Sequence, residues 1–154
     1  MFAAWELGLT VTGATIVPDP EEGYAAHVGI PVEERVRYAD WVDENEYLYA
    51  HLVTYYAGIA THEIYTDMPM SGAVVEMELE TYGSDYYNVS DLILTIAGPD
   101  EVKQVEVGET AMRHARNLIR GRGRWERVSK IADVLLERET LDEGACRQIL
   151  EQYG

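Results

Sequence analysis

The chain has 154 residues, 47% of them hydrophobic, which is the length of one domain with a sizeable core. Its formal charge of -16, from 12 basic against 28 acidic residues, argues against nucleic-acid binding across the surface, because phosphate affinity is supplied by Lys and Arg. The single cysteine, Cys146, excludes an intrachain disulfide and a cysteine-based metal site, no apolar run approaches the ~20 residues of a membrane helix, and Met1 to Glu6 lacks the basic start of a signal peptide, so the cytoplasm is the expected compartment.

In chain order, Met1 to Gly8 (MFAAWELG) reads as the last two turns of a helix stopped by a glycine. Leu9 to Val17 alternates and is β-branched, Pro18 to Gly23 is a turn, and Tyr24 to Ile30 reads as a second strand, so a small hairpin or meander is predicted near the N-terminus. The acidic connection with Asp40, Asp43, Glu44 and Glu46 then leads into a Pro-free helix over 44–65, favoured by carboxylates at its start. In that helix Leu48, Leu52, Tyr55 and Ile59 form one apolar stripe, and Gly58 implies close packing, since a helical glycine costs roughly 1 kcal/mol relative to Ala.

Thr66 to Gly72 reads as a loop, and Ala73 to Tyr82 fits a strand or a short helix equally. Tyr86 to Ala97 has helical spacing, with Ser84 or Asp85 as its cap. A further helix spans 100–120, irregular at Gly108, and the stripe Trp125, Val128, Ile131, Ala132, Leu135 and Leu136 marks the next. Thr140 to Glu143 has the capping-box pattern and opens a last helix in which Cys146 is a small core residue. The fold class is therefore mainly α (α+β), a single domain over 1–154.

The histidines do not make a metal site by spacing. His51 and His62 lie on one helix but eleven residues apart, about 16 Å along its axis. His62-Glu63 opens like the zinc-binding His-Glu-x-x-His pattern, but Thr66 stands where the second histidine belongs. The six arginines at 113, 116, 120, 122, 124 and 127 form the one positive region; pairing with the chain's own carboxylates or a neighbouring subunit is expected, with an anion or acidic partner as the alternative that composition does not separate.

Taken in order, TVTGATIVPD (10–19), YAAHVGIP (24–31), AGIATHEIY (57–65), GSD (83–85) and RWERVSKIADVLLERETLD (124–142) resemble the protease domain of FtsH-type zinc metallopeptidases, and stand-alone relatives without the ATPase module most of all. The resemblance covers nearly the whole chain and implies a helical metallopeptidase-like domain with a pocket lined by Ala57, Gly58, His62 and Glu63. It further implies Asp85 as third zinc ligand, with Glu76 as the alternative. The opening MFAAWELG then matches the family's segment just after its His-Glu-Ala-Gly-His motif, so two histidine ligands and the catalytic glutamate have no counterpart here. A catalytic zinc needs three protein ligands and a water beside a carboxylate. The expectation is a chain that binds zinc weakly or not at all in this pocket and does not hydrolyse peptides, and whose partner is a protein or peptide, a second copy of itself included. The alternative to a cut-short peptidase is an interaction module derived from the peptidase fold.

Overall fold

The computed structural model describes residues 1–21, 26–31, 44–69 and 84–153. Along them run α1 (Phe2–Glu6), β1 (Gly13–Thr15), β2 (His27–Gly29), α2 (Glu44–Thr66), α3 (Ser84–Ala97), α4 (Glu101–Arg120), α5 (Arg124–Arg138), β3 (Thr140–Asp142) and α6 (Glu143–Tyr153). The protein is mainly helical with one small antiparallel sheet, as its periodicities predict. It divides into two compact units, Met1–Glu34 with Gly121–Gly154, and Arg35–Arg120.

In the first unit, α1 ends because Gly8 takes a left-handed φ of 76°, letting Gly8 N–H reach Trp5 O and Leu9 N–H reach Ala4 O, the paired bonds of a Schellman cap. The sheet order is β2-β1-β3. Gly13, Ala14 and Thr15 pair with Gly29, Val28 and His27 on one side and with Asp142, Leu141 and Thr140 on the other. The N-terminal hairpin is thus completed by a strand from near the other end of the chain, tied by a Thr15–Thr140 hydroxyl bond of 2.9 Å. Gly29 allows the close β1–β2 approach: a Cβ there would stand 2.6 Å from Thr12 Oγ1.

That third strand corrects the capping-box reading of Thr140. Thr140 has extended backbone in β3, and the cap of α6 is Asp142, whose Oδ1 accepts the Ala145 N–H at 2.8 Å. Sheet pairing outcompetes the local hydroxyl cap because Thr is β-branched and a carboxylate two residues on caps the helix instead, accepting from Ala145 rather than Glu143. Cys146 is fully buried, with burial pushing its thiol pKa up, as a core residue requires. The α5 stripe is less covered than its spacing predicts: Ile131 is buried, whereas Ala132 and Leu136 are exposed.

In the second unit α2 packs on α3 and α4, and α3 on α4. Tyr47, Leu48, Ala50, Leu52, Val53, Tyr56, Ala57, Ile59 and Ala60 are all buried, so α2 is covered over most of its circumference rather than along one stripe. Tyr55, placed on the predicted stripe, is only half-buried. The hydroxyls of Thr54, Thr61 and Thr66 donate to the carbonyls of Ala50, Ala57 and His62 one turn back, which satisfies them inside the helix.

Two further expectations are corrected here. α4 runs unbroken through Gly108, where a Cβ would meet Ile93 Cδ1 and the Tyr56 hydroxyl at 3.4 Å each, so this glycine serves tight packing of α4 against α2 and α3. Gly58 has no such role. It is exposed, and a Cβ built on it meets nothing within 4 Å. α4 is capped by Asp100, whose Oδ1 accepts from the N–H groups of Val102 and Lys103 at 3.1 and 3.2 Å. The ambiguous stretch Ala73 to Tyr82 lies outside the described residues.

Candidate functional site

The four pocket candidates on α2 do not share a face. Ala57 is buried, Gly58 and His62 are exposed one turn apart, and Glu63 is buried. A helix places neighbours in sequence about 100° apart, so His62 and Glu63 point to different sides.

Glu63 has the most definite chemistry of the four. Its side chain is 1% exposed, and both carboxylate oxygens are taken by one guanidinium of α4: Arg116 Nε donates to Oε2 at 2.8 Å and Nη2 to Oε1 at 2.6 Å. This two-point, charge-assisted geometry is the strong form of an ion pair. The hydrogen bonds to Glu63 raise the Arg116 pKa further, so the guanidinium stays charged at every accessible pH. The Arg-rich stretch held this partner in view; which carboxylate would meet which arginine is not a local property. Arg124 pairs similarly, its Nη2 3.1 Å from Glu6 Oε2.

His51, one of four unremarkable histidines by spacing, is the second notable group. It is 2% exposed, its ring meets Tyr47 edge-on at 4.6 Å between centroids, and its Nε2 is buried without a hydrogen-bond partner among the described residues. Burial lowers its pKa to about 4, leaving a neutral imidazole at physiological pH. A neutral buried imidazole is chemically competent as a metal ligand. No His, Cys, Asp or Glu group of three that could hold an ion occurs among the described residues, however.

Asp85 is the second residue of α3, inside the helix rather than before it as a cap; its side chain and the whole of Glu76 lie outside the described residues. The zinc that the FtsH resemblance implies for the family would not be held at Glu63. A cation beside Glu63 would sit against the Arg116 guanidinium, and both carboxylate oxygens are already bonded.

In comparisons with family models, with curated proteins and with solved structures, nothing matches this chain. No helix among the described residues is long and apolar enough to cross a membrane.

Proposed function

We propose that this chain is a non-catalytic protein-interaction module on a scaffold similar to FtsH-type zinc peptidase domains, binding a protein or peptide in the cytoplasm without hydrolysing it and without zinc. The observation that carries this reading is the bonding of Glu63. A general base needs a carboxylate oxygen within reach of the water it activates. Glu63, the acid adjacent to His62, is buried with both oxygens on Arg116, and its charge holds α2 to α4. Function follows from such sites rather than from the scaffold.

The test is hydrolysis of labelled casein by the purified chain, with and without added zinc, beside the Glu63→Gln variant. Neither protein is expected to release label, and Glu63→Gln is expected to melt at lower temperature. Zinc-dependent hydrolysis by the parent chain, lost in Glu63→Gln at unchanged melting temperature, would overturn the reading. A protein ligand recovered from extract must then rebind the purified chain at fixed stoichiometry.

A further inference from the structure

The outer face of α4 carries an ordered row of charge. Val102, Glu106, Glu109, Arg113, Arg116 and Arg120 recur at alternating spacings of four and three, which sets them in one seam along a single face of the helix. The buried residues of the same helix, Ala111, Met112, Ala115, Leu118 and Ile119, occupy the opposite side. Along the seam the order is apolar, acidic, then basic. Val102 is 69% exposed, Glu106, Glu109, Arg113 and Arg120 are exposed, and Arg116 keeps 32% of its side chain in solvent while bound to Glu63.

The simplest use of these charges is a bond within the helix, Glu109 to Arg113 one turn on. The structure does not make it. Arg113 Nη2 turns instead to Thr110 Oγ1 at 3.2 Å, and Glu109 has no ion-pair partner among the described residues.

We infer that this face of α4 is a self-association surface, on which a second copy of the chain docks antiparallel about a two-fold axis between Glu109 and Arg113. In a two-fold interface, if one residue contacts a second, that second residue contacts the first across the axis. Placing Glu109 opposite Arg113 of the other copy therefore makes that ion pair twice across the axis and brings Val102 opposite Arg120, whose methylene stem covers the valine, while Arg116 stays on Glu63 of its own chain. This register pairs opposite charges at the axis, whereas a parallel pair sets like charge on like. The chain's net charge of -16 opposes association overall, so a face on which acid and base balance is where a second copy meets less repulsion. The inference does not rest on the non-catalytic reading above.

Sedimentation velocity of the full chain across a concentration series at low salt tests it. The parent protein is expected to dimerise, and added salt to weaken the dimer. Arg113→Glu and Glu109→Arg, both on exposed positions, are each expected to weaken it by at least about tenfold by setting like charges face to face. Combining them restores opposite charges across the axis and is expected to return the dimer to within about threefold of the parent. Melting curves confirm that all three variants fold; should one single variant fail, the other and the swap suffice. A parent chain that stays monomeric, a dimer indifferent to both single reversals, or a swap as weak as the singles would each overturn the proposal. So would a monomer that binds poly-glutamate through Arg113, which would assign the face to an acidic partner.

Discussion

Glu63 on α2 and Arg116 on α4, 53 residues apart in sequence, meet through two hydrogen bonds of 2.8 and 2.6 Å, with the glutamate side chain buried and the arginine side chain a third exposed. Removing one partner strands the other. Arg116→Ala is expected to destabilise the fold by roughly 2–3 kcal/mol, a value reduced from that of a fully buried pair because Arg116 still touches solvent. The apolar double variant Glu63→Leu/Arg116→Met is expected to cost less than Arg116→Ala alone, since no charge is left buried. Urea denaturation of the three proteins checks the order, and a double variant worse than the single would refute the account.

His51 makes stability depend on acid. Its folded pKa of about 4 lies below the ordinary value of about 6.5, so the unfolded chain binds the proton first as pH falls. The stability that comes from keeping the ring neutral is complete above pH ~6.5 and declines, by up to about 3 kcal/mol, on the way down to pH ~4. His51→Phe keeps an aromatic ring against Tyr47 and removes the titration. Its stability relative to the parent is expected to rise steadily between pH 7 and 4.5 in denaturation curves. A constant difference over that range would rule the histidine out as the source.

Gly58 offers the opposite case. With open space where its Cβ would be, Gly58→Ala is expected to raise stability by about 1 kcal/mol and the melting temperature by about 2–4 °C, because alanine suits a helix interior better. Calorimetry decides, and a lower melting temperature would contradict the open environment.

The cap of α6 can be assigned by substitution. Asp142→Ala is expected to lose about 1 kcal/mol, the usual value of an N-cap side chain, while Thr140→Val keeps the β-branched strand residue and loses only the hydroxyl bond to Thr15, a few tenths of a kcal/mol. The reverse ranking in urea would return the cap to Thr140.

Helices were legible wherever the signal is local. The glycines at 98, 121 and 123 mark the helix ends that the structure adopts, because spacing and backbone freedom act over one or two turns. The same rules misplace Thr140, whose capping pattern is real but weaker than a strand pairing with Thr15 formed 125 residues away. They also give Gly58 a packing role that belongs to Gly108, since two helical glycines look alike until neighbouring helices are in place. Of the candidate site, His62-Glu63 was visible as a motif fragment, but not that Glu63 turns inward to Arg116 and His62 outward.

What the sequence by itself determined is therefore the mainly α class, the positions of the helices, the acidic surface and the lone buried thiol, all of which depend on residue type and short-range periodicity. The third strand, the ion partner of Glu63, the burial of His51 and the outward charge row of α4 emerge only from the folded arrangement. The physical reason is that a charge or a strand edge is satisfied by whatever the chain brings beside it, and that choice is made between segments far apart in sequence.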